Sequence, residues 1–221
     1  MPGFQTRLQS VPIVGCADLL IRSLLDDQQY HDPLGTAARL GIPPSQWGLF
    51  GMLWPSGLQL ADLLAARPIT AGERILEVGC GLGLASLIGH RRGADVTACD
   101  VHPLTGAFLL ANARLNGLER LRYRHGPWQS DRQVGVAYDL VIGSDLLYAP
   151  DSRGDLANFV DRHAAAAAEV WIVDPNRGNR PAFHRRMTER GFVLRESNLS
   201  RPATASRAAY QGRVLTYRRS S

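Results

Sequence analysis

The stretch from Arg74 to Asp100, RILEVGCGLGLASLIGHRRGADVTACD, constrains the fold of this chain more than any other. Arg74 to Val78 is mostly apolar and alternates poorly, as suits a parallel strand covered on both faces. Gly79-Cys80-Gly81-Leu82-Gly83 follows at once, so the strand must end in a tight turn, and glycines without Cβ let a backbone approach a ligand closely. Leu84 to Arg92 then reads as a helix stopped by Gly93, and Asp95 to Asp100 as a second short strand. Asp100 closes that strand about 20 residues after the glycines, the spacing at which a carboxylate reaches ribose hydroxyls.

The rest of the pattern supplies the other strands of a doubly wound sheet. Thr105 to Asn116, ended by Gly117, reads as a helix and Leu121 to Arg124 as a third strand. Tyr138 to Gly143 is a fourth. A helix over Ser152 to His163 precedes a fifth strand at Glu169 to Asp174, and a helix over Arg180 to Arg190 is stopped by Gly191. Phe192 to Glu196 and Arg213 to Arg218 are separated by a polar loop too short for a crossover helix, so they pair antiparallel. The expected fold is therefore α/β, a Rossmann-like doubly wound seven-stranded sheet with an antiparallel last hairpin. The alanine run Ala164 to Ala168 reads as a junction between helix and strand. Upstream, LLIRSLLDD has helical periodicity and LGTAARLGIPPSQW reads as a short helix broken at Pro43-Pro44. Residues 1–50 are expected to form a cap or lid packed on the sheet that selects the partner, and residues 51–221 the main domain.

A glycine-rich turn alone is common, and dinucleotide enzymes use G-x-G-x-x-G. Here the spacing is E-x-G-x-G-x-G, carried by Glu77, Gly79, Gly81 and Gly83, with Asp100 ending the next strand. That pattern resembles motif I of the class I S-adenosylmethionine-dependent methyltransferases. YDLVIGSDLLY, which holds Asp145 and Tyr148, resembles the D/E-x-x-Y/F signature after the fourth strand of the seven-β-strand protein lysine methyltransferases, grouped as methyltransferase family 16. FGMLWPSG (Phe50 to Gly57) resembles that family's W-P-S/A-G segment, and NARLNG its helix before the third strand. The resemblance covers most of Phe50 to Tyr148. It implies S-adenosyl-L-methionine as cofactor, residues 51–221 as the methyltransferase domain, and a protein substrate methylated on a lysine side chain. Cofactor contacts would then fall to Trp54, Glu77, Gly79, Cys80, Gly81, Gly83, Asp100, Trp128 and Ser144, and catalysis to Asp145 and Tyr148.

Ligands in open α/β sheets bind beyond the carboxyl ends of the strands, where strand order reverses. Asp100, Trp128 and Ser144 to Tyr148 all follow strands directly. A lysine ammonium, with a pKa of about 10.4, must lose a proton before its nitrogen can attack. Asp145 is suited to orient that amine and accept charge, Tyr148 to wall it, Trp128 to stack on adenine, and Trp54 to close over the methionine or adenosine portion. Each has a plainer alternative: Asp145 capping the helix that follows, Tyr148 packed against it, Trp128 as a core tryptophan. Gly126-Pro127 stand where the family usually carries an acid before the tryptophan, which leaves adenine to stacking and backbone groups. Asp174-Pro175-Asn176-Arg177 differs from the D/N-P-P-Y/F signature of nucleic-acid and glutamine methyltransferases in its residues and follows the fifth strand. It reads as a rim loop where Arg177 or Arg180 meets an acidic partner. A small-molecule N-methyltransferase and a non-catalytic cofactor-binding module remain alternatives.

Charge and cysteine content narrow the partners. The net charge of +5 comes from 25 arginines and no lysine against 20 acids, the usage a high-GC bacterial genome would encode. Short clusters at Arg120-Arg122-Arg124, Arg185-Arg186 and Arg218-Arg219 read as solvated faces rather than a nucleic-acid groove. Cys16, Cys80 and Cys99 share no C-x-x-C spacing and read as reduced thiols. The six histidines lack metal-ligand spacing, so no metal is expected. No uninterrupted run of about 18 apolar residues is present and the N-terminus lacks a basic start with an apolar core, so a cytoplasmic protein without a membrane partner is expected.

Overall fold

The structure, a computed structural model, describes residues 4–119, 121–131 and 135–220; Arg120 of the first arginine cluster lies outside them. It opens with a hairpin of β1 (Thr6–Ile13) and β2 (Cys16–Leu24) turned at Gly15. LLIRSLL is thus a strand and not the expected helix. Leu19 and Ile21 are fully buried while Leu20 between them is 37% exposed, a period of two hidden inside an apolar run.

Short helices α1 (Thr36–Arg39) and α2 (Pro44–Trp47) lead through a 3-10 turn at Gly48–Gly51 into α3 (Pro55–Ala66). The alternating part follows: β3 (Arg74–Val78), α4 (Leu84–Arg91), β4 (Asp95–Asp100), α5 (Thr105–Leu115), β5 (Arg122–His125) and β6 (Tyr138–Ser144). It continues with α6 (Asp155–His163), β7 (Ala164–Asp174), α7 (Arg180–Glu189), β8 (Val193–Arg201) and β9 (Tyr210–Arg219). Strands β3 to β9 form one sheet in the order β5-β4-β3-β6-β7-β9-β8. Pairing is parallel as far as β7, and β9 lies antiparallel between β7 and β8. This is the seven-stranded sheet with an antiparallel last hairpin that the sequence predicts. The alanine run, expected as a junction, belongs to β7: α6 stops at His163, and Ala168 already pairs with Arg219 of the long final strand.

Strand order reverses at β3, which has β4 on one side and β6 on the other, so the carboxyl ends of these three strands open a crevice. Alternate residues along each strand feed two layers. Leu76 and Val141 join Phe159, Met187 and Phe192 of the α6–α7 side. Ile75, Leu140 and Ile142 face Leu60 and Leu64 of α3. By composition Pro44–Ala66 reaches a mean hydropathy of 1.2, in the range of a membrane span, but it is not one helix. Met52 and Trp54 are extended between its pieces, and α3 buries its apolar face on the sheet.

The N-terminal hairpin packs on the helix layer rather than on the sheet itself. Asn112 of α5 accepts the Arg22 N–H at 2.8 Å and donates to the Arg22 carbonyl at 3.1 Å. Asn116 does the same for Leu20, at 2.9 and 2.8 Å. Four residues apart, the two amides share one helix face and imitate the edge of a neighbouring strand. Val11, Ile21, Trp47 and Phe50 then share a core with Leu87 and Phe108 of α4 and α5.

Candidate active site

The loop after β3 passes through Gly79, Gly81 and Gly83 at φ 59°, 51° and 69°, a region that side chains rarely occupy. A Cβ on Gly81 would lie 3.0 Å from the Phe50 carbonyl oxygen, so the loop is pressed against the segment leading to α3. The two acids of the motif hold this loop from both sides. Buried Glu77 accepts the Ser86 N–H at 2.8 Å and also the Ser86 hydroxyl, joining β3 to the first turn of α4. Burial pushes its carboxyl up to about 7, with the Ser86 bonds acting in the other direction. Asp100 accepts the Gly81 N–H at 2.9 Å on one oxygen and the His102 N–H at 2.8 Å on the other. Its pKa is raised by burial against those bonds. A Gly81→Val variant is expected to lose about fivefold or more in affinity for S-adenosylhomocysteine by titration calorimetry, since forcing such a backbone costs roughly 1–3 kcal/mol. Unchanged affinity would remove the loop from the binding site.

The second half of the site is made by two loops that clamp each other. Asp145 directly follows β6 at φ 56°, its N–H continuing the ladder to the Val173 carbonyl at 3.0 Å. It and Asn176, at φ 67°, are the non-glycine residues with positive φ among the described residues. The second of them sits in the loop after β7. Buried Asp174 accepts the Arg177 N–H at 2.7 Å and so turns that loop toward the first. The Arg177 guanidinium donates to Asp145 Oδ1 at 2.7 Å, and Asn179 Nδ2 donates to the Leu147 carbonyl at 2.9 Å. Asp145 Oδ2 is buried and has no hydrogen-bond partner. Each left-handed residue costs about 1–2 kcal/mol, less for Asp and Asn, and such backbone is typically kept where function needs it. The capping alternative for Asp145 does not hold: the next helix begins at Asp155, and Asp151 supplies the carboxylate for the N–H groups of Gly154, Asp155 and Leu156. Arg177 and Arg180, expected to meet an acidic partner at the rim, bond within the chain, Arg180 to Glu196 and Asp174.

These groups converge on a cleft of about 180 Å³ at the carboxyl ends of β3, β4 and β6. Of the residues singled out in the sequence, Trp54, Glu77, Gly79, Cys80, Gly81, Asp100, Trp128, Ser144, Asp145 and Tyr148 line it. Gly83 does not: it stands behind the loop as the residue before α4, against Leu109. The Trp54 indole N–H donates to the Leu49 carbonyl at 2.8 Å, fixing the ring at the start of α3. Trp128 is half-buried, packed on the core yet open to the cleft. The Cys80 thiol is pushed well up by burial and is not a nucleophile. Sequence reasoning missed Phe50, which lines the cleft and stacks on His102 at 3.9 Å and 11°. Burial holds the His102 imidazole down to about 4, so it is neutral. Trp128, Leu146 and Tyr148 also line a second, broader bowl of about 960 Å³, and so form the partition between the two spaces.

A family model described as lysine methyltransferase matches residues 45–190, two thirds of the chain and nearly the whole of this site. The chain belongs to this family. Among similar curated proteins, the electron transfer flavoprotein beta subunit lysine methyltransferase of Danio rerio is 31% identical over 142 residues, covering 62% of this chain and 52% of that protein. The histidine protein methyltransferase 1 homolog of Dictyostelium discoideum is 27% identical over 129 residues, covering 55% and 41%. The chain spans about half the length of the curated relatives it matches. Among solved structures, the ribosomal protein L11 methylase from Lactobacillus delbrueckii subsp. bulgaricus superposes with a TM-score of 0.60 at 18% identity, over 98% of this chain and 100% of that one. It shares the fold.

Family and fold together imply S-adenosylmethionine as cofactor, and the residues present fit it. The glycine loop offers bare backbone, Asp100 keeps spare lone pairs at the floor of the cleft, and Trp128 presents an aromatic face. Among the described residues no group of three or more His, Cys, Asp or Glu side chains is arranged to hold a metal ion.

Proposed function

We propose that this chain transfers a methyl group from S-adenosylmethionine to the ε-amine of a lysine in a protein substrate. The observation that carries this reading is the unpartnered, buried Oδ2 of Asp145, at the cleft and beside the Tyr148–Trp128 partition from the outer bowl. A long, unbranched amine crossing that partition would donate an N–H to this oxygen. When bound, the cofactor supplies a methyl group on a positively charged sulfur, whose S–C bond breaks as the new N–C bond forms. Asp145 orients the nitrogen and stabilises the positive charge that passes to it, and the displaced proton leaves to water through the bowl. Tyr148 and Trp128 hold the path narrow enough to exclude bulk water from the methyl. Trp54, Gly79, Gly81 and Asp100 hold the cofactor, with Glu77 acting through Ser86 on the loop, and Ser144 at the end of β6 beside it. Residues 1–50 act as a cap, since Arg39 to Gly41 reach the rim of the bowl and contribute to partner choice.

Names of similar proteins support a protein substrate: one is a lysine methyltransferase, another a histidine protein methyltransferase. The test is methyl transfer from radiolabelled S-adenosylmethionine into a size-fractionated lysate, followed by acid hydrolysis. Label in protein recovered as methyl-lysine is the expected result. Label recovered as methyl-histidine, or only in the small-molecule fraction, would overturn the assignment of substrate.

A further inference from the structure

The outer bowl is basic in a way that the cofactor cleft is not. Arg39, Arg153, Arg185 and Arg186 line it, from α1, from the loop before α6, and from α7. None of the four has a carboxylate within 4 Å among the described residues. Arg39 and Arg186 donate to the carbonyls of Leu34 and Ser152 and hold their heads in place, while Arg153 and Arg185 are exposed. Elsewhere on the surface comparable arginines are matched, Arg67 by Glu73, Arg122 by Asp95 and Arg219 by Asp161. Two acids share the bowl, but Asp151 has both oxygens occupied by the backbone N–H groups that open α6. Two carboxylates against four guanidinium groups leave the bowl net positive, and only Asp155 is not engaged by backbone N–H groups.

On the reading that this site methylates a protein lysine, we propose that the bowl binds an acidic stretch of polypeptide flanking the target lysine, with Arg153 and Arg185 as its free partners. Charge complementarity is the argument, and so is shape. The bowl and the cleft share Trp128, Leu146 and Tyr148 in their walls, so a segment lying in the bowl is one side-chain layer from Asp145, and a single side chain passing between these residues would reach it while its neighbours remain outside. Of the rings lining it, Tyr148 is exposed and Trp128 half-buried, and both stand at the partition where the amine must pass. Guanidinium groups match carboxylates in geometry as well as charge. The arrangement also helps the chemistry, because acids held by arginines on the rim cannot fold back onto the lysine and keep it paired.

The test uses the full chain and two fluorescent peptides with one central lysine, flanked by glutamates in one and by glutamines in the other. Binding is read by fluorescence anisotropy with S-adenosylhomocysteine present, at low and high salt. The glutamate peptide is expected to bind at least about tenfold tighter at low salt and to lose that advantage at high salt. An Arg153→Gln, Arg185→Gln double variant should bind both peptides alike while its affinity for S-adenosylhomocysteine stays at the wild-type value, which shows that it is folded. Equal binding of the two peptides by the wild type, or preference retained in the double variant, overturns the proposal. Displacement of the glutamate peptide by a single-stranded RNA of matched charge at lower concentration would also overturn it, in favour of a nucleic-acid surface. The activity itself is judged separately, by methyl incorporation. A peptide preference without methylation would leave the bowl as assigned and sink the methyltransferase reading, and methylation without preference would do the reverse.

Discussion

Replacing Asp145 by Asn is expected to lower the rate of methyl transfer about 10²- to 10⁴-fold, the range for a positioned group that handles charge and protons in the transition state. The two side chains have the same shape, and an amide oxygen can still accept the Arg177 guanidinium N–H that Asp145 Oδ1 accepts at 2.7 Å. What changes is the other oxygen. Oδ2 is buried and without a partner, and in the variant an NH₂ group stands there instead. It would point its hydrogens at an amine that also needs to donate, and it carries no negative charge to balance the charge passing to nitrogen. The loss should therefore fall on kcat, while affinity for S-adenosylhomocysteine by calorimetry stays within about threefold. If cofactor affinity falls as far as the rate, Asp145 belongs to cofactor binding. If kcat is unchanged, its catalytic role is wrong.

The parts of this site that could be read in sequence are those fixed by local geometry. E-x-G-x-G-x-G has one structural solution: glycines at positive φ, with one acid bridging to Ser86 and a second, one strand away, taking the Gly81 N–H. The sheet was legible for a similar reason, because β3, β4, β6 and the second half of β7 are short apolar runs set apart by glycines at φ above zero, while the polar edge strand β5 (RYRH) is placed by its position after Gly117. Other features depend on contacts between distant segments. LLIRSLL has an apolar pattern that fits a helix or a strand, and the choice is made by β1 and by Asn112 and Asn116, some 90 residues away in sequence. The Arg177–Asp145 pair joins loops 32 residues apart, and its only local signals are the unusual Asn176 backbone and the turn made by Asp174. Arg185-Arg186 read as a solvated pair until α7 is placed beside the loop before α6. Charge clusters have no intrinsic direction in sequence, and only the fold tells which of them face a common space.

A lysine placed at position 177 should be methylated by the protein that carries it. Arg177 lines the cofactor cleft, and its guanidinium already sits on the carboxylate that the substrate amine is expected to approach. In an Arg177→Lys variant the amine would occupy much the same region, held by the same Asp145, and the reaction would become intramolecular with no recognition step. The natural chain makes this test unusually clean, because it contains no lysine at all. Any methyl-lysine recovered after hydrolysis of the purified variant can come only from the introduced side chain. Incubated with S-adenosylmethionine, the variant should gain the mass of one or more methyl groups by intact-protein mass spectrometry, and the wild type should gain none. Adding Asp145→Asn should slow the gain by about the factor expected for intermolecular transfer. The reaction should also quicken as pH rises toward the ammonium pKa of about 10.4, since a neutral lone pair is required, with Asp145 holding back the deprotonation by favouring the charged form. A folded, cofactor-binding Arg177→Lys variant that gains no mass over this pH range would show that the methyl path does not run past Asp145, and the proposed function would fall with it.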